Sequence, residues 1–205
     1  MTEIPEVIVD EDGHAYICDG VIAPRSVTGL LKKYGLSMDF SKIPAHILDM
    51  ACQRGKAIAV GSKLIAMGHE LGPVDPRIAG YLAGFAAFWK ESGAQLIETE
   101  VPRISPLGFG FTTDLVIWVG GRRVIADGKA TFKLPKSVGP QTAGYLLGYN
   151  SVFPGAPVEE RFALWLKKDG QYKFKELTDP DDVTSFMDCL DADIKLTKWQ
   201  TKYGE

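Results

Sequence analysis

The sequence contains little cysteine, and the cysteines it has are far apart. Only Cys18, Cys52 and Cys189 occur in 205 residues, and no two of them form a C-x-x-C pair. Structural zinc sites and iron–sulfur clusters need closely spaced ligands, so this pattern argues against both. Three distant thiols instead predict reduced, mostly buried side chains in a cytoplasmic protein.

A strong net charge and a long apolar run are also lacking. The formal net charge is −3, so no overall positive field attracts a polyanion, and nucleic-acid binding would require a local basic patch or bound cations. No apolar run approaches the roughly 18 residues of a membrane span. The acidic start, MTEIPEVIVDEDG, lacks the apolar segment of a secretory signal. We therefore expect a cytoplasmic protein with no membrane partner.

The hydrophobic pattern predicts one mixed α/β domain. A hydrophobic content of 45% over 205 residues is enough for one sizeable core. Residues 6–25 alternate as a hairpin or meander, and helical spacing follows from Val27, Pro44 and Pro76. After Gly93 the apolar residues recur at every second position. Strands are predicted at 95–104, 109–119, 122–130, 158–167 and 171–177, and helices at 141–149 and 181–199. The prediction is a single domain, 1–205, whose central mixed sheet contains an antiparallel meander and is flanked by helices.

Two sets of apolar side chains are predicted to be buried. The helix after Pro44 carries a stripe at helical spacing, formed by Ile47, Leu48, Ala51, Ile58, Leu64, Ile65 and Met67. Three large aromatic residues are expected in the core rather than as platforms for stacked bases, namely Phe153, Trp165 and Trp199.

Two aspartates interrupt neighbouring apolar strands. Asp114 lies between Thr113 and Leu115 within the strand predicted at 109–119, and Asp127 follows Val-Ile-Ala near the end of the next strand. A Gly-Gly turn joins the two strands, so both carboxylates are expected to face one site. Burying two like charges costs several kcal/mol unless a cation neutralises them. Two carboxylates, completed by waters and a substrate phosphate, suit Mg²⁺ or Mn²⁺.

Lys129 is placed to act in the same site. It follows Asp127 by two residues, and residues i and i+2 of a strand share a face. A lysine there can polarise an attacking water or stabilise the charge of a phosphate under attack. Taken alone, Asp-x-Lys is a common triplet that usually forms a solvated surface pair, so its neighbours along the chain decide between the two interpretations.

Three segments in a fixed order supply that context: GFTTD at 110–114, VIADGKAT at 124–131 and QTAGY at 141–145. Together they resemble the PD-(D/E)XK nuclease superfamily, in its RecB-like and phage-exonuclease-like branch. The resemblance implies a restriction-endonuclease-like core, with Mg²⁺ or Mn²⁺ held by Asp114, Asp127 and the backbone carbonyl of Gly128. Lys129 is then the catalytic lysine. The resemblance also implies that Gln141 and Tyr145 support the site or touch DNA.

Further matches and some departures accompany these segments. Ser-Val-Thr at 26–28 and DMACQRGKAIA at 49–59 resemble the branch's "SVT" opening and its "A-x-x-R-G-T-x-x-H" helix. Ala59 stands where that motif has its histidine, Lys56 replaces the threonine, and Gly128 occupies the middle of D-x-K. His46 and His69 lie ten or more residues from position 59, and only a bend at Gly61 would bring His69 near.

Glu100, on the predicted strand before the aspartates, has two open interpretations. The resemblance suggests an additional acidic metal ligand. The alternative is an ordinary exposed carboxylate on a strand.

The functional expectation is a Mg²⁺- or Mn²⁺-dependent deoxyribonuclease. It would be exonuclease-like and act in phage or mobile-element recombination or repair, with duplex or single-stranded DNA ends as substrate. A recombination or annealing partner protein and a homo-oligomer are further expectations. One alternative is a catalytically weak protein of nuclease fold that binds DNA or assists recombination, which Ala59 and Gly128 motivate. Another is an α/β interaction domain unrelated to nucleases.

Overall fold

The N-terminal segment forms a small antiparallel sheet, as its alternating pattern predicts. The computed structural model describes residues 6–10 and 15–204. Its first three strands are β1 (Ile8–Val9), β2 (Tyr16–Cys18) and β3 (Val21–Ile22), which pair in the order β1-β2-β3. Residues 11–14 of the predicted hairpin, which include His14, lie outside the described residues.

Three helices follow, and side-chain caps mark the start of two of them. In α1 (Val27–Lys33), Oγ of Ser26 accepts a hydrogen bond from the N–H of Gly29. The long helix α2 (Ala45–Ala66) begins after Pro44. In α3 (Pro76–Ser92), the carboxylate of Asp75 accepts from the N–H of Arg77. Such caps satisfy backbone donors that the first helical turn leaves free.

The predicted buried stripe of α2 is largely wrong. Ile58 is buried, but Ile47 and Met67 are 48% and 51% exposed, and no residue between 45 and 57 is buried. The helix packs against α3, where Gly61 contacts Leu82, and its buried residues begin only at Ile58. Apolar periodicity shows which face of a helix can be buried, but not how far along the helix the core reaches.

The central sheet is mixed, as predicted. Its five strands lie in the order β10-β9-β8-β7-β4. They are β4 (Gln95–Glu98), β7 (Leu115–Val119), β8 (Arg122–Lys129), β9 (Glu160–Leu166) and β10 (Tyr172–Glu176). The β8–β9 pair is parallel, and the other pairs are antiparallel.

Two predicted strands are each broken into two. The segments 95–104 and 109–119 bend at Glu100 and Asp114, and their outer halves form a separate pair, β5 (Val101–Ser105) with β6 (Phe109–Thr113). The N–H of Glu100 donates to the carbonyl of Thr113, at 3.0 Å. Asp114 therefore lies in a bend between strands and not inside a strand. Alternation of apolar residues continues through both bends, so it could not reveal them.

Helices cover both faces of the sheet. On one face α4 (Val138–Val152) packs with α1 and α5 (Asp181–Tyr203), and on the other α3 packs with α2. Small residues bring α4 close, because a Cβ at Gly144 or Gly148 would lie within 3 Å of a phenylalanine ring. The terminal helix extends beyond the predicted end at 199. The architecture is a mixed α/β domain with a central mixed sheet flanked by helices.

Some burial predictions fail elsewhere. Trp199 is 58% exposed and Trp165 is half-buried, so the expectation that both are core residues is wrong. Only Cys189 among the three cysteines is buried, while Cys52 is exposed. Within residues 6–10 and 15–204, no helix combines the length and the apolar character needed to cross a membrane.

Candidate active site at the sheet bend

The bend before β7 brings Asp114 beside the end of β8. Leu115 pairs with Ala126 in the antiparallel register, and the next step of that register places Asp114 opposite Asp127. Oδ2 of Asp114 accepts a hydrogen bond from the N–H of Gly128, at 2.8 Å. This bond fixes the carboxylate against β8 at the residue between Asp127 and Lys129.

Asp127 is a buried carboxylate whose one ion-pair partner among the described residues is Lys129. The residue is 1% exposed, and neither of its side-chain oxygens has a hydrogen-bond partner among the described residues. Nζ of Lys129 lies 2.6 Å from Oδ2. That contact is an ion pair whose direction is not that of a well-aligned hydrogen bond. A buried carboxylate with a single cationic partner retains unused ligand capacity at both oxygens.

Helix α4 orients the lysine from the other side. Nζ of Lys129 donates to Oε1 of Gln141, at 3.3 Å, and Nε2 of Gln141 donates to the hydroxyl oxygen of Tyr145, at 2.7 Å. Gln141 and Tyr145 are four residues apart, so they share one face of the helix. Because the amide nitrogen bonds to Tyr145, the amide oxygen of Gln141 faces the lysine.

The pKa shifts at the site arise from burial, from repulsion between the two aspartates and from their attraction to Lys129. Burial, and then the negative charge of Asp127, raise the pKa of Asp114 to about 8. Burial opposes charge on Lys129, but the two aspartates outweigh it and raise the pKa of that amine. Burial and both carboxylates also raise the pKa of Tyr145. The lysine is therefore cationic and the tyrosine neutral at physiological pH.

A cleft open to solvent adjoins Asp114 and Gly128, whereas Asp127 and Lys129 are not among its lining residues. Its cavity volume is about 80 Å³, with Glu100, Asp114 and Gly128 on the sheet side and Ala59, Ser62 and Lys63 on helix α2. Glu100 lies at the bend, with φ of +54°, and not within a strand as predicted. The residue is exposed, as one of the two interpretations held. Partial desolvation of its carboxylate raises its pKa against the opposing charge of Lys63, and the charge of Asp127 raises it further.

Two of the cleft residues were not predicted from the sequence. Ser62 is 91% buried, and its hydroxyl has no hydrogen-bond partner among the described residues. Ser62 and Lys63 follow Ala59 by three and four positions on α2, and this spacing could have identified them once position 59 was assigned to the site.

Neither histidine near position 59 replaces the missing one. Helix α2 continues through Gly61, so the bend that would have brought His69 near is absent. His69 lines a separate groove with Leu71 and Val74, and His46 lies at the other end of α2. Ala59 itself lines the cleft and offers no ligating atom.

The residues present fit a hard divalent cation. Asp127 offers two buried oxygens without hydrogen bonds, and the ionisation of Asp114 is opposed by a neighbouring negative charge that a cation would offset. Carboxylate and carbonyl oxygens are the ligands that Mg²⁺ and Mn²⁺ prefer. In the described part of the chain, no three His, Cys, Asp or Glu residues are already grouped closely enough to hold a metal. The fit therefore rests on the Asp114 and Asp127 oxygens.

Comparisons with known proteins give matches of shape. No protein-family model and no curated protein matches the chain. The chain is similar to an alkaline exonuclease, LHK-Exo from Laribacter hongkongensis, with a TM-score of 0.36 and 15% identity over 73% of this chain and 84% of that one. It is also similar to the crystal structure of SSO0001, with a TM-score of 0.35 and 19% identity over 58% of this chain. The match spans 60% of SSO0001. Both TM-scores are below 0.5, so neither protein's function is transferred to this chain.

Proposed function

We propose that the chain is a Mg²⁺- or Mn²⁺-dependent nuclease that hydrolyses phosphodiester bonds of DNA and acts on strand ends as an exonuclease. One observation carries the proposal. Asp127 is a buried carboxylate that accepts no hydrogen bond from the described residues and pairs with the cationic Lys129. It lies beside Asp114, whose ionisation is opposed. When both aspartates are ionised, Lys129 balances only one of the two charges. The remaining buried charge is costly, and a bound cation would offset that cost.

Asp114 and Asp127 would hold the cation, with the backbone carbonyl of Gly128 as a further ligand. Glu100 lies in the adjoining cleft but is not grouped with the two aspartates as a third carboxylate ligand. When bound, the ion supplies Lewis-acid stabilisation of a phosphate oxygen and lowers the pKa of a coordinated water. The hydrogen bond from the N–H of Gly128 to Asp114 keeps one aspartate oxygen directed at β8 and leaves the other for the cleft.

Lys129 supplies the protein's own positive charge. Asp127 holds its ammonium group at 2.6 Å, and Gln141 accepts one of its three N–H donors. A remaining N–H is available to a water or to a phosphate oxygen that gains charge during hydrolysis. Tyr145 acts through Gln141, because the hydrogen bond between them fixes which end of the amide faces the lysine.

The direct test is incubation of the full chain with end-labelled linear DNA and with RNA of the same sequence. Each reaction contains Mg²⁺, Mn²⁺ or EDTA. We expect metal-dependent loss of DNA, reduced about 10²- to 10⁴-fold in Asp127→Asn and in Lys129→Met. Lys195→Met, at an exposed position on α5, is the matched control and should cleave like the wild type. Absence of metal-dependent cleavage by the wild type contradicts the proposal.

A second candidate is a catalytically weak DNA-binding or recombination-accessory protein. It is favoured by Ala59, which lines the cleft beside Glu100 and Asp114 without offering a ligand. The two candidates differ in their metal requirement. The accessory protein binds DNA equally well in EDTA and in Mn²⁺, and shows no saturable Mn²⁺ site by isothermal titration calorimetry. The nuclease binds Mn²⁺ with an affinity that Asp127→Asn lowers.

Circular DNA separates exonuclease from endonuclease action. The proposed exonuclease leaves a closed circle intact and degrades the same molecule once it is linear. Involvement of a recombination partner and assembly into a homo-oligomer stay predictions.

A further inference from the structure

A row of cationic and aromatic side chains continues from Lys129 across the sheet. The parallel register pairs Lys129 of β8 with Trp165 of β9, and the antiparallel register pairs Trp165 with Lys173 of β10. Residues paired across adjacent strands point to the same side of a sheet. The three side chains therefore share one face, and the row begins at the proposed catalytic lysine.

Two further residues complete what we call the strand patch, defined as Phe132, Trp165, Lys167 and Lys173. Nε1 of Trp165 donates to the carbonyl of Thr131, at 2.8 Å, which ties the loop carrying Phe132 to the row. Nζ of Lys167 lies 2.8 Å from the centre of the Trp165 ring, and Nζ of Lys173 lies 6.0 Å from it. The indole thus holds two ammonium groups above the sheet surface.

Carboxylates balance the charges of the two strand-patch lysines only in part. Among the described residues, no carboxylate forms an ion pair with Lys167 or Lys173. Burial, and then the charge of Lys173, lower the pKa of Lys167, and the opposing charge of Asp169 is the smaller effect. The two ammonium groups therefore repel each other. A ligand with a negative charge at this position would relieve that repulsion.

Phe132 is exposed to solvent, unlike the aromatic residues of the core. It is fully exposed, at 102% of its reference area, in the loop that follows Lys129. An apolar ring that contacts solvent on both faces gains nothing from folding. The same ring offers a flat surface to a nucleic-acid base, and stacking of bases on aromatic residues is common to proteins that bind single strands.

We propose that the strand patch binds the single-stranded portion of a nucleic acid whose scissile phosphate lies at Lys129. Lys167 and Lys173 contact backbone phosphates, and Phe132 stacks on a base. This inference rests on the proposed function, because it assumes that the strand is cleaved at Lys129. A single strand offers both negatively charged phosphates and flat bases, which match the paired lysines and the exposed ring of the strand patch. An acidic protein offers negative charge without flat rings and matches the patch less well.

The test measures binding separately from cleavage. A 5′-fluorescein oligothymidylate of 12 nucleotides is titrated with the full chain in EDTA, and fluorescence anisotropy is recorded at several salt concentrations. The wild type should bind. The double variant Lys167→Ala/Lys173→Ala should bind more weakly, and its slope of log affinity against log salt should be shallower by about 1.4, since each lost phosphate contact in a single strand contributes about 0.7. Phe132→Ala should weaken binding about 5- to 150-fold.

Matched controls come from the distant end of α5. Lys195→Ala/Lys198→Ala removes two exposed lysines, and Trp199→Ala removes an exposed ring. Both should bind like the wild type. Circular dichroism confirms that each variant is folded.

The outcomes separate the strand patch from the nuclease proposal. Patch-dependent binding without metal-dependent cleavage supports the strand patch and refutes the nuclease. Cleavage by the wild type with unchanged oligothymidylate binding by the patch variants refutes the strand patch alone. A wild type that fails to bind oligothymidylate, or binds polyglutamate equally well through the same lysines, also refutes it.

Discussion

Removing the charge of Lys129 should destabilise the metal-free protein, because Asp127 then has no cation. Lys129 is the only residue that forms an ion pair with Asp127 in the described part of the chain, and Asp127 is 1% exposed without hydrogen bonds. Leaving such a carboxylate unpaired costs about 3 to 5 kcal/mol. Lys129→Met keeps most of the side-chain volume and removes only the charge.

Protonation sets an upper limit to this cost. Protonating a carboxyl group with a reference pKa of about 3.9 costs about 4 kcal/mol at pH 7 and about 1.5 kcal/mol at pH 5. The carboxyl takes up a proton whenever that is cheaper than staying ionised. We therefore expect Lys129→Met to lose about 3 to 4 kcal/mol at pH 7, or roughly 6 to 16 °C in Tm, and about 1.5 kcal/mol or less at pH 5. The stability of the variant falls as the pH rises, because the folded variant binds more protons than the unfolded chain.

A double-mutant cycle in EDTA isolates the pair. Urea denaturation is followed by circular dichroism for the wild type, Lys129→Met, Asp127→Asn and the double variant. Asp127→Asn should cost less than Lys129→Met, because Lys129 keeps its bond to Gln141 and its side chain is 20% exposed. The double variant should be more stable than Lys129→Met. Lys136→Met, at an exposed position, is the control and should be within about 0.5 kcal/mol of the wild type.

Two results would refute this reasoning. One is a Lys129→Met variant as stable as the wild type at pH 7, and the other is a cycle in which the two substitutions are additive. Either would mean that Asp127 is solvated or has another partner. Mn²⁺ should restore part of the lost stability of Lys129→Met, since the ion replaces the missing positive charge.

Three further substitutions test the fold around the site. Asp193→Asn should cost about 3 kcal/mol of unfolding free energy at pH 7. Burial opposes ionisation of Asp193, but hydrogen bonds from Lys33 and Arg25 outweigh it and lower the pKa of the carboxyl group. The difference in stability from the wild type should therefore shrink in denaturation experiments below about pH 4. Gly80→Ala should cost about 1 to 3 kcal/mol or more by thermal denaturation, because its Cβ would lie 1.7 Å from the carbonyl oxygen of Lys168. Gly128→Ala should instead gain roughly 0.5 to 1 kcal/mol in the same measurement, since the nearest atom to its Cβ is a carboxylate oxygen at 3.5 Å, and a loss would contradict the described packing at this strand.

Local features of the site follow from backbone periodicity. Asp127 and Lys129 share a face because side chains of a strand repeat every two residues, and Gln141 and Tyr145 share a face because a helix repeats every 3.6 residues. The caps at Ser26 and Asp75 are equally local. In each case the interacting groups lie within four residues of one another, so the sequence already specifies their geometry.

Contacts between distant segments could not be predicted in this way. The bends at Glu100 and Asp114 occur together because the two strands are hydrogen-bonded to each other, and neither segment shows a bend in its own alternation. The exposed first half of α2 has the same apolar spacing as the buried second half of the helix. Which residues of α2 are buried depends on how far along α2 the contact with α3 extends.

The sequence by itself determined the mixed α/β class, most helices and strands, and the local pairs Asp127 with Lys129 and Gln141 with Tyr145. Only the tertiary structure decided that Asp127 is buried without hydrogen bonds, that Ser62 and Lys63 line the cleft, and that Trp165, Lys167 and Lys173 extend the row from Lys129. The physical reason is that periodicity fixes the direction of a side chain relative to its own backbone. Burial, charge compensation and exposure depend on which other segments pack against it.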